Sequence, residues 1–190
     1  MSVTVLETKF SPENKALIEH CKSRSKTTGY KLREAHFNLG QASAENLVKT
    51  DYLNQKHFSV LVMMRAGLNF ALGISDMLEK MGKLVDIHFL NNDLVTDDIL
   101  TSIKGKQVLI VDAVINSGKS ILSVTNQLPE VERKKSMVFT TVMPSSSVEL
   151  LPGLKIFTVR LSDNKYTGAK VSKIQGNIGP DTGDRLFGTL

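Results

Sequence analysis

The sequence predicts one α/β domain over residues 1–190, a mainly parallel central sheet flanked by helices. Two observations predict it. Apolar runs of strand length alternate with stretches of helical periodicity, the pattern that folds into successive parallel βαβ units. One of those runs, Val108-Leu109-Ile110-Val111, is apolar without interruption, as a strand buried on both faces must be, and it ends on Asp112. With 190 residues, of which 41% are hydrophobic, the chain is long enough to bury one core of this kind.

Taken in order, Ser11-Pro12-Glu13 reads as a helix start, with a capping hydroxyl, a proline at the first helical position and an acid in the first turn. That helix is expected to reach about His20. Beyond the polar stretch 22–28, residues 30–47 carry Leu32, Ala35, Phe37, Leu39 and Leu47 in a second helix, which Gly40 should weaken. Strands are expected near 58–63, 84–89, 107–111, 137–143 and 156–161, and connecting helices near 67–81, 120–128 and 146–151. Residues 91–106 form the longest connection with little helical periodicity, and they are expected to act as a mobile flap over the site. No internal repeat, low-complexity tract or linker interrupts this plan.

Composition narrows the chemistry. A single cysteine, Cys21, excludes an internal disulfide and a cysteine-based zinc site, and it is expected to be a buried or partly buried helix residue. His20, His36, His57 and His88 share no metal-ligand spacing and read as helix or strand-edge residues. The net charge of +5 comes from scattered lysines, densest at Arg133-Lys134-Lys135, and fits a solvated surface or anionic substrates without requiring nucleic acid. No apolar run is long enough to cross a membrane and the first ten residues do not form a signal peptide, so a cytoplasmic location is the expectation.

The chemistry concentrates in residues 108–120. After the buried run, Asp112 should emerge at the carboxyl end of a strand, where parallel sheets bind ligands. Asn116, Ser117, Gly118, Lys119 and Ser120 then form a small loop, and a helix after it would aim its free backbone N–H groups at an anion. A carboxylate repels phosphate but accepts hydrogen bonds from sugar hydroxyls, so Asp112 suits the ribose of a phosphorylated sugar. Residues 113–120 also approach the phosphate loop of nucleoside-triphosphate enzymes, with Gly118-Lys119-Ser120 in place but Ala113 where the first glycine belongs. Apolar Val114 and Ile115, the acid at the loop entrance and the lack of a later strand ending in a magnesium-binding Asp all count against that pattern.

Residues 108–120 resemble instead the phosphoribosyl pyrophosphate signature of the phosphoribosyltransferases. Met64-Arg65-Ala66-Gly67-Leu68 is similar to the Arg-Ala-Gly-Leu turn of the uracil phosphoribosyltransferase branch, and Asp181-Thr182-Gly183-Asp184-Arg185-Leu186-Phe187-Gly188-Thr189 to its C-terminal ending. Three motifs in the right order and at about the right separations, covering most of the chain, identify that family. The resemblance implies a type I phosphoribosyltransferase, Rossmann-like, fold and the joining of uracil to phosphoribosyl pyrophosphate to give UMP and pyrophosphate in pyrimidine salvage. It further implies Mg2+ carried in with the substrate and a homo-oligomer.

The same resemblance assigns roles. Arg65, with the backbone of Ala66 and Gly67, would contact pyrophosphate; Asp112 would hold the ribose hydroxyls; Asn116, Ser117, Gly118, Lys119 and Ser120 would hold the 5-phosphate; Gly179, Pro180 and Asp181 would meet the base. Asp112 and Arg65 are the catalytic candidates. Plainer roles exist for each: a turn cap for Asp112 and the serines, a surface ion pair for Arg65, and a tight turn before a C-terminal strand for residues 181–184, with Asp184 and Arg185 as a structural pair. The chain also departs from the family pattern. Lys119 replaces a Gly or Asn and brings a β-carbon into the loop, Ala113 replaces a Pro, residues 91–106 offer Asp93, Asp97 and Asp98 in place of Arg and Tyr, and Pro180 lacks the N–H a glycine would offer uracil. These departures motivate two alternatives, a phosphoribosyltransferase for another base and a non-catalytic nucleotide- or RNA-binding regulator on the same fold.

Overall fold

The computed structural model describes residues 2–49, 52, 54–164 and 180–189. Six strands form one sheet: β1 (Ser2–Val5), β2 (His57–Met63), β3 (Leu84–Leu90), β4 (Gln107–Val114), β5 (Met137–Pro144) and β6 (Lys155–Ser162). The helices are α1 (Pro12–Cys21), α2 (Gly29–Val48), α3 (Leu68–Lys80), α4 (Asp97–Ser102), α5 (Lys119–Gln127), α6 (Glu130–Lys135) and α7 (Thr182–Phe187). The strand order is β1-β6-β5-β4-β2-β3 and every pairing is parallel. The type I phosphoribosyltransferase architecture expected from the sequence is the one observed.

Alternation along the central strands divides the core in two. Val60, Val62, Leu109, Val111 and Phe139 point into one cluster with α2 and α3, and Leu61, Met63, Val108, Ile110 and Val138 into the other with α5. Strands buried on both faces must be apolar at every position, which is why 108–111 shows no alternation. On the first face Phe139 stacks on Phe157 with ring centroids 4.8 Å apart.

The glycine that should have weakened α2 has a packing role. A β-carbon at Gly40 would lie 2.2 Å from the carbonyl oxygen of Phe70, and one at Gly73 would lie 1.9 Å from that of Phe37, so α2 and α3 cross backbone to backbone. Such a crossing tolerates only hydrogen at these positions.

Five elements differ from expectation. β1 comes from an N-terminal stretch too short to show a pattern, and parallel pairing to β6 holds it, Val3 opposite Ile156. The supposed flap contains α4, a short helix with Asp97 and Asp98 in its first turn. α6 starts after Pro129 with Glu130 and Glu132 and ends on Arg133, Lys134 and Lys135, a charge order that complements the helix dipole. Residues 181–184 open α7 and not a strand, since the Asp181 side chain accepts from the backbone N–H of Asp184 and Gly188 closes the helix at φ 69°. The expected helix at 146–151 is a 3-10 segment, Ser145–Leu150.

Gly73→Ala should therefore destabilise the fold by about 1–3 kcal/mol, the range for inserted methyl groups in packed cores. Urea denaturation followed by circular dichroism measures it; an unchanged midpoint would show that the crossing can relax.

Candidate functional site

The strand order places the site before any side chain is considered. β2 runs on through α3 to the outer strand β3, whereas β4 runs on through α5 and α6 to β5 on the other side. Connections leaving neighbouring strands in opposite directions open a crevice beyond their carboxyl ends, and such switch points bind ligands. The turn after β2 carries Arg65, Ala66 and Gly67; the end of β4 carries Asp112 and the loop after it.

The β2 turn is drawn tightly onto β4. Gly67 N–H donates to Met63 O at 3.0 Å and Leu68 N–H to Arg65 O at 3.2 Å, and the Met64–Arg65 peptide is cis. A β-carbon on Gly67 would lie 2.6 Å from Val111 O and 3.2 Å from the α-carbon of Asp112, so the two halves of the site touch through backbone.

β4 is longer than its apolar run, and Asp112 lies within it opposite Thr140. Val114 is the last strand residue, because Thr140 and Thr141 donate their hydroxyls to Ala113 O at 3.1 and 2.5 Å and Ile115 N–H donates to Val142 O at 3.1 Å. Only residues 115–118 separate β4 from α5. That is too short to wrap a triphosphate, since the first two positions of the nucleoside-triphosphate loop pattern, Ala113 and Val114, are strand.

The short loop suits a single phosphate. Gly118 turns it at φ 74°, where a β-carbon would meet the Leu151 side chain at 2.5 Å. Gly118 also serves as the N-cap of α5 and supplies no side-chain acceptor, so no side chain caps the helix start. Ser117, Lys119 and Ser120 are exposed beside it, and the Ser147 hydroxyl donates to Asn116 O behind the loop. The side-chain oxygen of Asn116 is buried without a partner. Lys119 begins the helix with ordinary backbone geometry, and the left-handed position falls on Gly118, so the β-carbon of Lys119 does not strain the turn.

Asp112 is half-buried, and loss of solvent pushes its carboxyl up to about 7, only partly offset by the backbone N–H groups of Ala113 and Val114. The charges of Asp93 and Asp181 push it the same way. The supposed flap, the strand end and the C-terminal cap thus bring carboxylates within one electrostatic field.

Arg65 is half-exposed and held from the C-terminal motif. Its Nη2 pairs with Asp184 Oδ1 at 2.7 Å, its Nη1 donates to Thr189 Oγ1 at 3.1 Å, and Thr189 donates in turn to Asp184 Oδ1 at 2.6 Å. Arg185, expected to pair with Asp184, is buried and donates to the carbonyls of His20, Cys21, Lys22 and Thr27 at 3.0 to 3.3 Å. The acid that holds Arg65 and the arginine that anchors α7 are thus neighbours in sequence. Asp181 is exposed at the start of α7, Pro180 precedes it half-buried, and Gly179 lies outside the described residues.

The segment 91–106 is fastened to the body. Gln127 of α5 accepts from Val95 N–H at 3.0 Å and donates to Asp93 O at 2.7 Å, which sets Asp93 toward the field of Asp112. Sequence reasoning assigned no site role to Asp93, Gln127, Ser147 or Thr189. Thr189 was legible as part of the C-terminal motif; the other three depend on contacts between segments far apart in the chain.

A carboxyl raised above its unfolded value favours the folded state while it is protonated, and that contribution is lost as pH rises from about 4 to about 7. Asp112→Asn should therefore raise the denaturation midpoint at pH 8 and leave it nearly unchanged at pH 4. Equal shifts at both pH values would mean that Asp112 is not desolvated.

The profile of the family described as uracil phosphoribosyltransferase matches residues 26–189. Among solved structures, the chain is similar to the AQ2163 protein from Aquifex aeolicus, with 18% identity over 98% of both chains and a TM-score of 0.69. It is also similar to the hypoxanthine-guanine phosphoribosyltransferase from Schistosoma mansoni in complex with IMP, with 18% identity over 66% of this chain and 65% of that one and a TM-score of 0.50. At these identities the likeness is one of fold.

Proposed function

The chain belongs to the uracil phosphoribosyltransferase family, and on that premise we propose that it transfers the phosphoribosyl group to uracil, giving UMP and pyrophosphate in cytoplasmic pyrimidine salvage. A phosphoribosyltransferase is what family and fold establish together; uracil and the pathway are the proposal. The observation that carries it is the meeting of Arg65, Asp112 and the uncapped start of α5 at one switch point.

In the proposed reaction the bond from C1 of the ribose to pyrophosphate breaks with its electron pair leaving on oxygen, while a uracil nitrogen bonds to C1 and its proton is released. The sugar ring gains positive charge as the leaving group departs. Fixed groups aimed at that charge do most of the catalytic work in such a step. Residues 115–118 and the first N–H groups of α5 receive the 5-phosphate, with the hydroxyls of Ser117 and Ser120 and the Lys119 ammonium around it. Asp112 takes the ribose hydroxyls. With its carboxyl pushed to about 7 it can both donate to and accept from them, and the nearby charges of Asp93 and Asp181 favour a ring turning cationic. Arg65 meets the pyrophosphate from the other side of the crevice. Magnesium would enter on the substrate, with phosphate oxygens and water supplying most of its ligands.

A second reading draws on Asp93. This carboxylate stands where the family places cations against pyrophosphate, and it favours a protein that binds the nucleotide without turning it over. Pyrophosphate release, measured with phosphoribosyl pyrophosphate and magnesium over a panel of bases, decides between them. Release with uracil is expected; release with another base alone would move the substrate, and none with any base would favour the regulator.

Arg65→Ala should weaken phosphoribosyl pyrophosphate by roughly tenfold or more, since a charged hydrogen bond contributes about 1.5–3 kcal/mol, and should weaken UMP far less because UMP carries no pyrophosphate. Equal losses for both ligands would show that Arg65 acts only through its pair with Asp184.

A further inference from the structure

The crevice lies at the carboxyl ends of β2 and β4, and a second concavity opens at the opposite end of the sheet. It has a volume of about 490 Å³, the size of a small-molecule site. Asn54, Lys56 and His57 line it at the start of β2, and Gly82, Lys83 and Leu84 at the start of β3. β2 runs seven residues from His57 to Met63, so about 20 Å separates this cavity from the Arg65 turn.

Strand pairing brings the cations of the cavity together. His57 pairs with Leu84, and Leu84 N–H donates to Lys56 O at 2.9 Å, so Lys56 and Lys83 enter the sheet on neighbouring strands. Such strands lie about 4.8 Å apart, and two ammonium groups rooted that close repel each other; an anion between them relieves the repulsion. None of the six lining residues is acidic, and Asn54, Lys56, His57 and Lys83 all carry N–H donors. Lys22, Lys49, Lys80, Lys106 and Lys134 each pair with an acid, whereas Lys56 has no ion pair among the described residues. The carbonyls of Met77, Leu78 and Glu79 at the end of α3 would disfavour an anion, but they accept from the backbone N–H groups of Met81, Lys83 and Gly82 at 2.8 to 3.0 Å.

We propose that this cavity binds a chain of two or more phosphates, either inorganic or carried by a nucleoside. A single phosphate would occupy a small part of the space and meet only part of the donor set. A chain sets one phosphate against Lys56 and the next against Lys83, with the Asn54 amide and the His57 ring N–H donating to the remaining oxygens. Leu84, 60% exposed, adds an apolar wall against which an attached nucleoside can lie. The site is independent of what the crevice at β2 and β4 binds.

Magnetic resonance of the isotope-labelled full chain reads the cavity separately from the crevice. Tripolyphosphate should move the amide resonances of Asn54, Gly82 and Lys83 to saturation. Lys56→Gln combined with Lys83→Gln should weaken that response by roughly tenfold or more, since each removes a charged hydrogen bond, while Lys56→Arg combined with Lys83→Arg should retain it. Lys56 is exposed and Lys83 half-buried, and the remaining resonances check that the variants are folded. Arg65→Ala, in the crevice, should leave the response at these three amides unchanged. ATP run beside tripolyphosphate distinguishes the two sources: tighter binding of ATP assigns the chain to a nucleotide, and equal binding assigns it to the inorganic anion. Resonances that do not move, a response that the paired glutamines leave intact, or citrate binding as tightly as tripolyphosphate would overturn the proposal.

Discussion

The backbone contact between Gly67 and the end of β4 is the constraint on which the rest of the site depends. A side chain there would meet Val111 O at 2.6 Å, and the space it would need is the space that lets Arg65 and Asp112 face one crevice. The all-parallel sheet creates the opening, but opening alone would leave the two turns apart. Glycine at one position converts a topological crevice into a site with two chemically distinct walls.

Those walls carry opposite electrostatic character. One is the Arg65 guanidinium, held in place by Asp184 of α7 and by Thr189 just after it, and α7 is itself anchored through buried Arg185 to four carbonyls of the end of α1 and the loop that follows it. Breaking a buried charge from its partners is costly, about 3–5 kcal/mol, so the C-terminal helix is firmly docked. The other wall is the carboxyl of Asp112 with the charges of Asp93 and Asp181 around it. A ligand with an anionic leaving group at one end and a sugar that turns cationic at the other matches this polarity, whereas a plain anion would be repelled from half of the crevice.

Much of this was legible in the chain because it is local. The uninterrupted run at 108–111 marked a strand buried on both faces, Ser11-Pro12 marked the start of α1 to the residue, and three short motifs marked the walls of the crevice and the helix that holds one of them. What was not legible arises from contacts distant in sequence. Gly40 looked like a flaw in a helix until Phe70 was packed against it, the hold of Asp184 on Arg65 spans 119 positions, and residues 91–106 looked free because nothing local shows that Gln127 fastens them. Helices of six residues such as α4 and α6 are too short to show periodicity.

The central claim is that the start of α5 and Asp112 together hold a phosphorylated ribose. Titration calorimetry of the full chain with ribose 5-phosphate, UMP and free uracil tests it most directly. The two phosphate ligands should bind well above uracil, and Gly118→Val, which fills the turn against Leu151, should abolish both. If neither phosphate ligand binds the unmodified protein, or if uracil alone binds as tightly as UMP, the crevice is not a phosphoribosyl site.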